Sequence, residues 1–390
     1  MSWEKVAIKS VCKGIYDGPH ATPPESDTGA IFLGISNFSN GRLDLSDIRF
    51  ISENDLPRWT KRVTPRARDI VFSYEATLNL YAVIPDGFRG CLGRRMALIR
   101  VDEEKAYYKF LYYYFYSDAW RVVIQENTVL GATVDRIPLV KFPDFLIDLP
   151  PLVTQHRIAD ILSAYDNLIE NNQKQIKLLE EAAQRLYKEW FVDLRFPGYE
   201  DVKIVDGVPE GWMKKRLIDI AKVQYGYTFD SSLFNTKRKG TPIIRIRNIP
   251  NGMTNDYTTE EADKQYMVLN GDIIVGMDGE FHINSWSGEM AYLVQRTCKF
   301  EPKNELMRGW LLQAIYEPIK FFEKTVVGAT VAHLGKKHID TIELLTGPEE
   351  LYVPFKELFD KRQILLNQNI LLTESRDRLL PKLMNREIEV

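Results

Sequence analysis

The chain is poor in cysteine and has no long apolar segment. Only Cys12, Cys91 and Cys298 occur among its 390 residues, and no two of them form a CxxC pair. An odd number without that spacing excludes a disulfide framework and a cysteine-rich zinc site. No uninterrupted run of about 18 apolar residues occurs, and the first residues lack the apolar core of a signal peptide. The sequence therefore predicts a cytoplasmic protein that neither spans nor binds a membrane.

Catalytic and cofactor-binding motifs are also missing. No GxGxxG motif follows a strand pattern, and the Asn/Asp-Pro-Pro-aromatic motif of amino-methyltransferases does not occur. Gly335-Lys336-Lys337 lacks the spacing and the Ser/Thr of a phosphate-binding loop. His333 and His338 lie outside any HExxH pattern, which argues against a metal site. We expect no catalytic residue, no metal and no cofactor bound by this chain.

Excess positive charge is the third absence. The chain has 51 Lys and Arg against 54 Asp and Glu, a net charge of −3. This excludes a uniformly basic nucleic-acid wrapper but leaves local basic patches possible. With 45% hydrophobic and 27% charged residues the composition is that of a globular protein, and the length predicts two to three domains.

Two long segments have the spacing of coiled-coil helices. The first follows Pro150-Pro151 and contains no glycine or further proline before Phe196-Pro197-Gly198. In the second, leucine recurs at every seventh position from Leu351 to Leu379. Proline opens helices, Pro-Gly ends them, and a seven-residue apolar period is typical of coiled coils. The sequence predicts long helices over 151–195 and 348–385.

One polar residue, Asn172, interrupts the apolar stripe of the first helix, and the second helix has a more polar companion position that holds Arg362, Asn369 and Arg376. Asn172 and Asn369 match each other, and buried asparagines of this kind often set coiled-coil register. The predicted coiled-coil core consists of Leu162, Ile169, Asn172, Ile176, Leu179, Leu186, Leu358, Leu365, Asn369, Leu372 and Leu379.

The whole chain is an internal repeat with a period near 200 residues. In order along both halves, residues 34–41 match 245–252, 68–71 match 271–274, and 131–134 match 328–331. The offset drifts from 211 through 203 to 197 in loop-sized steps, and Pro151 and Pro348 keep the last value. Several matches in order indicate a duplicated unit, each copy a globular region followed by a helix.

The globular regions are residues 1–150 and 203–347. Both are rich in β-branched and aromatic residues broken by turn formers, which predicts short strands with some helix around 106–117 and 304–322. Two copies of one unit favour a pseudo-twofold arrangement in which the two long helices are antiparallel. Helices of this length would form a spacer of about 50 Å, which corresponds to about 15 base pairs of duplex DNA. The expected fold class is α+β: two mixed α/β domains separated by an antiparallel two-helix coiled coil. Two different domains held at a fixed distance by a rigid helical spacer suit the recognition of a two-part DNA sequence.

Several motifs carry a family resemblance. Residues 150–159 (Pro-Pro-Leu-Val-Thr-Gln-His-Arg-Ile-Ala) and 187–193 (Tyr-Lys-Glu-Trp-Phe-Val-Asp) are the most specific, and 378–384 (Arg-Leu-Leu-Pro-Lys-Leu-Met) closes the second helix. Together with Gly271-Asp272-Ile273-Ile274 and Gly328-Ala329-Thr330 they resemble the specificity subunit of type I restriction-modification enzymes over essentially the full length. The second helix lacks a Trp-Phe counterpart, and the first half has Arg68 where the second has Gly271.

The resemblance implies a non-catalytic DNA-recognition subunit of a phage-defence system. Two target recognition domains, 1–150 and 203–347, would each contact one half of a bipartite, asymmetric site in double-stranded DNA. Two methyltransferase subunits and the restriction-translocase subunits would assemble on the chain. S-adenosylmethionine, ATP and Mg²⁺ would be bound by those partners.

Other functions remain open at this point. Within the resemblance, the alternative is a specificity subunit that serves a fused methyltransferase-nuclease. Outside it, the alternatives are a self-sufficient DNA enzyme and a purely structural coiled-coil scaffold.

Basic clusters are the first candidates for DNA contact, because phosphate neutralisation and guanine recognition both require Lys and Arg. They are Arg58, Lys61 and Arg62; Arg94 and Arg95; Lys237, Arg238 and Lys239; Arg245 and Arg247; and His333 with Lys336 and Lys337. The alternative for each cluster is a solvated loop.

Loop residues are the second group of candidates. Small polar or imidazole side chains that could read base edges are His20, Thr22, Ser36, Asn37, Thr228 and Asn248. For the asparagines, ordinary turn chemistry is the competing interpretation. Tyr187, Trp190 and Phe191 place three aromatic rings at the end of the first helix. We expect them either to pack within the chain or to contact a docked subunit.

Overall fold

The chain divides into two compact units. The structure is a computed structural model that describes residues 3–39, 41–131, 134–325 and 332–390. Unit 1 consists of Met1–Asn167 and Thr373–Val390, and unit 2 of Leu168–Leu372. Most of the repeated Gly-Ala-Thr-Val sequence, at 132–133 and 328–331, lies outside the described residues.

Unit 1 is built on an antiparallel sheet. Its strands are β1 Glu4–Ala7, β2 Cys12–Asp17, β3 Ala30–Leu33, β4 Phe38–Ser39, β5 Arg42–Leu43, β6 Arg49–Ile51, β7 Ile70–Ser73, β8 Tyr81–Val83, β9 Gly90–Leu92, β10 Met96–Val101 and β11 Leu146–Leu149. The main sheet has the order β2-β10-β7-β8, and a smaller sheet, β6-β3-β9, pairs β3 with β9 in parallel. The short helices are α1 Leu56–Trp59, α2 Tyr108–Tyr114 and α3 Asp118–Asn127.

Aromatic side chains fill the core of unit 1. Phe72 stacks on Phe142 with ring centroids 4.7 Å apart, and the Trp120 indole N–H donates a 2.8 Å hydrogen bond to the Tyr81 hydroxyl. All of these rings are buried. The central strand β10 is apolar along most of its length, as expected where both faces of a strand are covered.

Unit 2 repeats this plan. The long helix α4 Leu152–Tyr187 enters it from unit 1, and α5 Leu217–Ile220, α6 Arg308–Ala314, α7 Tyr316–Thr325, α8 Lys336–Ile339 and α9 Val353–Met384 follow. Its strands are β12 Ile204–Val205, β13 Val208–Pro209, β14 Met213–Arg216, β15 Ala221–Tyr225, β16 Phe234–Asn235, β17 Thr241–Ile244, β18 Tyr257–Thr258, β19 Met267–Val268, β20 Ile273–Gly276, β21 Ile283–Ser285, β22 Ala291–Leu293, β23 Thr297–Pro302 and β24 Glu343–Thr346.

The strand orders of the two units correspond. Unit 2 has the antiparallel order β15-β23-β20-β21, matching β2-β10-β7-β8, and its second sheet pairs β17 with β22 in parallel, as β3 pairs with β9. Its core surrounds the buried rings of Phe300, Trp310 and Phe355. The repeat seen as short residue matches is therefore a repeat of strand topology.

Helix α4 starts where the proline pair predicts. The Gln155 side chain accepts a 2.8 Å hydrogen bond from the Tyr107 amide and donates one of 2.8 Å to the Pro150 carbonyl, so it joins the first turn of α4 to the residue that precedes α2. After Tyr187 the chain continues as a π-helical turn, Lys188–Val192. This turn directs Phe191 into the core of unit 2, 5.1 Å from the Trp212 ring.

The three aromatic rings at this end of α4 have partners within unit 2. Tyr187 stacks on Phe191 at 5.6 Å, and Trp190 meets Phe355 edge to face at 6.0 Å. Phe191 is buried, whereas Tyr187 and Trp190 are half-buried. Intramolecular packing accounts for Phe191, and Trp190 retains some exposed surface.

Helices α4 and α9 run in opposite directions where they meet. In unit 2, the Asn172 amide donates a 3.0 Å hydrogen bond to the Asn369 Oδ1, and Arg362 Nε donates one of 2.6 Å to Glu180. In unit 1, the end of α9 packs on the start of α4, and Leu162 is fully buried there. Of the other predicted core positions, Ile169, Asn172, Ile176 and Leu365 are buried, and Leu179, Leu186, Leu358, Asn369, Leu372 and Leu379 are half-buried.

Candidate nucleic-acid interface

In both units, loops at corresponding strand ends lie side by side. In unit 1, the Gly18 amide after β2 donates a 2.7 Å hydrogen bond to the Met96 carbonyl at the start of β10. In unit 2, the Gly226 amide after β15 bonds the Thr297 carbonyl at the start of β23 at 3.0 Å. The bend that follows β7 or β20 is hydrogen-bonded to the residue just before β10 or β23. We call these three neighbouring segments the loop edge of each unit.

Two of the sequence-predicted residues, Arg62 and His20, converge on the first part of the unit 1 loop edge. Arg62 Nη1 lies 2.5 Å from Asp17 Oδ2 and donates to the Gly18 carbonyl at 3.1 Å. His20 Nε2 lies 3.0 Å from the same carboxylate oxygen. Through Arg62, the exposed cluster that also contains Arg58 and Lys61 is attached to the loop after β2.

Tyr74 lies beneath the charges of this loop edge. Burial raises the pKa of its hydroxyl, the carboxylates of Asp17 and Glu75 raise it further, and Arg62 and Arg94 act in the opposite direction. The hydroxyl is therefore within electrostatic reach of all four groups. Because these groups come from distant positions in the sequence, only folding brings them together.

Each loop edge contains a carboxylate paired with an arginine. In unit 1, Arg95 Nε lies 3.2 Å from Glu75 Oε1, and in unit 2, Arg296 Nη1 lies 2.8 Å from Asp278 Oδ2. We call them the acid–arginine pairs. The backbone hydrogen bonds of the two units also correspond. The Tyr74 amide donates to the Arg95 carbonyl at 3.1 Å, and the Met277 amide donates to the Arg296 carbonyl at 2.9 Å.

A fourth segment, at Arg136 in unit 1 and at His333 in unit 2, adjoins each loop edge. Isolated β-bridges pair Glu75 with Arg136 and Asp278 with His333. In unit 2 the contact extends to side chains, since His333 Nδ1 lies 2.5 Å from Asp278 Oδ1. Asp278 therefore contacts both Arg296 and His333.

The remaining predicted residues of this region are Lys336, Lys337 and Thr228. Lys336 pairs with Asp340 at 2.6 Å, whereas Lys337 is exposed and has no ion-pair partner in the described part of the chain. The Gly335 amide donates to His338 Nδ1 at 3.0 Å, and burial, assisted by the charge of Lys337, lowers the pKa of that imidazole. Thr228 is exposed and donates a 3.0 Å hydrogen bond to the Gln295 side chain.

Lys237, Arg238 and Lys239 form a separate exposed turn. The Asn235 side chain accepts hydrogen bonds from the backbone amides of Lys237 and Lys239, both at 3.1 Å. The turn thus holds three cations outward, and no ion pair of theirs occurs among the described residues. No hydrogen bond described for the chain joins this turn to Asp278 or Arg296.

Arg245 and Arg247 are both engaged within unit 2. The Arg245 guanidinium lies over the Phe234 ring at 5.8 Å. Arg247 makes a bidentate ion pair with Asp256, in which Nη2 donates to Oδ1 at 2.6 Å and Nε donates to Oδ2 at 3.2 Å. The charge of Arg247 is therefore largely neutralised by Asp256, which is itself buried.

The two predicted asparagines occupy turns. Asn37 accepts from the Gly34 amide at 2.8 Å and donates to the Asp44 and Asp47 carbonyls, so both of its amide hydrogens are used within the fold. Asn248 accepts from the Arg245 amide at 2.8 Å in the corresponding turn. Turn chemistry explains both residues. Ser36 and Thr22 are exposed.

Sequence reasoning missed Arg136, Gln295 and Arg296. The signal was present in the repeat, because an offset of 201 residues places Gln295 and Arg296 on Arg94 and Arg95. That match is too short to recognise without the strand pairing, which brings both turns to the start of corresponding strands.

The described residues contain no group of three or more His, Cys, Asp or Glu side chains arranged to hold a metal ion. In the same residues, no helix is long and apolar enough to cross a bilayer.

Known proteins share this sequence pattern. The family model described as the type I restriction modification DNA specificity domain matches residues 2–181 and 209–349. The type I restriction enzyme MjaIX specificity subunit of Methanocaldococcus jannaschii is 27% identical over 368 residues, covering 88% of this chain and 82% of that protein. The HindI specificity subunit of Haemophilus influenzae is 24% identical over 334 residues, covering 66% and 72%.

A solved structure shares the fold. The crystal structure of a type I restriction-modification S subunit from M. genitalium superimposes with a TM-score of 0.58 at 17% identity, covering 98% of this chain and 96% of that one. The alternative of a subunit serving a fused methyltransferase-nuclease finds no support among these relatives. The family model covers both halves of the repeat. The chain therefore belongs to the DNA specificity subunits of type I restriction-modification systems, which recognise DNA and are not catalytic.

Proposed function

We propose that this chain selects a bipartite, asymmetric sequence in double-stranded DNA, with residues 1–150 reading one half and 203–347 the other. The observation that carries the proposal is the duplicated loop edge. Both copies combine a carboxylate, an arginine and exposed polar donors at the same strand ends. Basic side chains supply affinity through phosphates, and donors at fixed positions supply sequence preference through base edges.

The target halves should differ because the two loop edges differ. Where unit 1 has Arg94, unit 2 has Gln295, and where the bridge of unit 1 has Arg136, that of unit 2 has His333. These side chains differ in charge and in the number of hydrogen-bond donors. Equivalent positions would therefore favour different bases.

The long helices would set the distance between the two half-sites. In this proposal α4 and α9 form an antiparallel coiled coil, on a pseudo-twofold axis, that separates the two domains by about 50 Å. Support comes from the opposite chain directions at the Asn172–Asn369 and Arg362–Glu180 contacts. A stiff helical pair suits this use, since a flexible linker would accept many spacer lengths.

The chain would also serve as a scaffold in the cytoplasm. Two methyltransferase subunits would bind S-adenosylmethionine and flip the target adenine, and restriction-translocase subunits would use ATP and Mg²⁺. The half-exposed Trp190 is a candidate contact for one of these subunits.

Exchange of one domain tests this proposal. Residues 1–150 are replaced by the corresponding region of a relative with a known target, and genomic methylation is sequenced in cells that carry the methyltransferase. We expect one half of the methylated motif to change while the other half and the spacer stay constant. A change in both halves, or an unchanged motif, would contradict the assignment of one half-site to each domain.

A further inference from the structure

Two arginines adopt a strained backbone conformation at the same place in both units. Arg95 and Arg296 have φ angles of 70° and 67°, and each immediately precedes a central strand, β10 or β23. A left-handed conformation is unfavourable for a residue with a side chain, whereas glycine adopts it freely. Strain of this kind clusters at binding and switch sites, although it also occurs in this chain at positions such as Ala76 and Leu194.

A second left-handed position shows what the fold alone requires. Arg68 in unit 1 and Gly271 in unit 2 have φ angles of 72° and 88°, and each precedes the repeated aspartate. One copy of the repeat uses glycine there, so the turn needs no arginine. At Arg95 and Arg296, both copies keep an arginine although glycine would fit the backbone better.

Arg95 and Arg296 are each paired with a carboxylate that is less exposed than the arginine. The side chain of Asp278 is 16% exposed and that of Arg296 is 65% exposed. For Glu75 and Arg95 the values are 26% and 34%. In each pair a half-buried carboxylate binds one part of the guanidinium. In Arg296 the ion pair is made by Nη1, which leaves donors of the same guanidinium available at the loop edge.

We propose that Arg95 and Arg296 are base-reading residues, one in each unit, and that Glu75 and Asp278 are their positioning residues. Each arginine would donate to N7 and O6 of a guanine in the major groove, one guanine in each half-site. This inference rests on the proposed function, since it names the contacts that give each half-site its sequence.

The carboxylate favours a guanine over a phosphate as the acceptor. A guanidinium already paired with a carboxylate gains less from the charge of a phosphate, because the pair has no net charge. Its remaining donors lie in the plane of the guanidinium, however, and a guanine edge offers two acceptors that match a planar fork. A guanine contact and a phosphate contact can be told apart by experiment, since only the contact with the base carries sequence information.

The main test is Arg296→Gly in the complete chain assembled with its methyltransferase subunits. Binding is measured on duplexes that carry every single-base change in the second half-site. We expect discrimination at one guanine to fall roughly 10- to 100-fold, with recognition of the first half-site unchanged. The thermal midpoint should stay the same or rise, because glycine relieves the left-handed strain. Arg95→Gly should give the mirror result.

Arg68→Gly is the matched control, because it makes the same substitution in the same backbone conformation. Arg68 pairs with Glu103 and lies over the Tyr108 ring, away from the acid–arginine pair. We expect wild-type discrimination at every base. A loss of discrimination equal to that of Arg296→Gly would overturn the inference, because it would trace the effect to the backbone change.

Arg296→Lys keeps the test decisive if the glycine variant folds poorly. Lysine keeps the charge but lacks the planar fork, so discrimination at the same guanine should fall while stability is retained. Retained discrimination would overturn the proposal. Uniform weakening on all duplexes, with a salt dependence reduced by about one ion, would also overturn it and identify a phosphate contact.

The positioning role has its own test in Asp278→Asn and Asp278→Glu. The amide should reduce discrimination at the guanine read by Arg296, and glutamate should largely restore it, because Glu75 has the same task in unit 1. Failure of both arginine variants to alter discrimination, in an assembly that still binds selectively, would overturn this inference alone. Absence of selective binding by the wild-type assembly would overturn the proposed function as well.

Discussion

The repeated aspartate, Asp69 or Asp272, organises the turn before the third strand of each main sheet. Asp272 Oδ2 accepts from the Leu269 amide at 2.9 Å and lies 3.2 Å from the Lys299 ammonium. Asp69 accepts from the Arg66 amide at 2.8 Å and pairs with Arg100 at 2.7 Å. Both carboxylates are buried, so each one needs the cation beside it.

Asp272→Asn should strongly destabilise unit 2. The side chain of Lys299 is only 10% exposed, so removing the carboxylate charge leaves a buried ammonium beside an amide. We expect a loss of about 3 kcal/mol, measured by urea unfolding. Asp219→Asn removes an exposed partner of Arg216 and should leave the midpoint unchanged. Equal losses in the two variants would contradict the burial argument.

His338 should make the stability of unit 2 sensitive to mild acid. Its Nδ1 accepts a hydrogen bond from the Gly335 amide, which requires a neutral ring nitrogen, and burial holds its pKa below the ordinary 6.5. As the pH falls through 6.5 the unfolded chain takes up the proton before the folded one, so stability is lost. His338→Asn should flatten the urea midpoint between pH 7.5 and 5.5. Parallel pH profiles in the two proteins would contradict this role.

At the scale of elements, a polar contact marks the middle of the α4–α9 pair. Asn172 is buried and donates to Asn369, while apolar positions such as Ile169 and Ile176 flank it along α4. Leucine at the same place would add apolar contact but would accept several alignments of the two helices. The asparagine pair therefore favours one register.

Asn172→Leu should destabilise the helix pair, whereas Asn172→Leu with Asn369→Leu should not. The single change leaves the Asn369 amide without its partner, at a cost of about 1–3 kcal/mol in thermal unfolding. The double change removes both polar groups and should recover that loss. Leu178→Ala, at an exposed position of α4, is the control and should have little effect. A double variant as unstable as the single one would refute the pairing argument.

Arg362 attaches α9 to both α4 and the sheet of unit 2. Its guanidinium donates to Glu180, to the Ser285 hydroxyl at 2.7 Å and to the side-chain Oδ1 of Asn284 at 3.0 Å. Arg362→Met should lower the free energy of unfolding by about 2 kcal/mol, because buried hydrogen-bonding groups lose their partner. Lys361→Met, at the exposed neighbouring position, should be silent in the same assay. Equal effects would show that charge, and not the contacts, matters.

At the scale of the whole molecule, a net charge of −3 is compatible with DNA recognition because the cations are concentrated locally. Lys237, Arg238 and Lys239 occupy one exposed turn, and Arg58, Lys61 and Arg62 form an exposed cluster that is attached to the loop after β2 through Arg62. At physiological salt, charges more than about 8 Å from the DNA are largely screened. The local patches therefore matter more for binding than the net charge.

Lys237→Ala with Lys239→Ala should weaken DNA binding equally on all sequences. Phosphate contacts release counterions, so losing two of them should reduce the slope of log affinity against log salt by about two. The measurement is a salt titration with target and non-target duplexes. An altered base preference would contradict the phosphate assignment, and an unchanged slope would remove this turn from the interface.

Much of this protein was predictable because the relevant signals are local. The seven-residue spacing identified both long helices, since helix geometry alone puts such residues on one face. The order of short matches identified the duplication, and the family resemblance is confirmed by relatives that span most of the chain. Each of these features is readable from short runs of residues, without knowledge of which residues are in contact.

Only the tertiary structure decided which polar residues act together. The pairing of Glu75 with Arg95, of Asp278 with Arg296, and of Arg62 with Asp17 depends on strand register across long sequence separations. The amino-acid composition of a loop does not reveal whether an arginine is free, paired with a carboxylate or buried in a turn. The sequence by itself determined the long helices, through the seven-residue spacing of apolar side chains, and the repeat, through residue matches in the same order in both halves. Long-range strand pairing decided which side chains meet at the loop edges, because that register is set only when the whole sheet has formed.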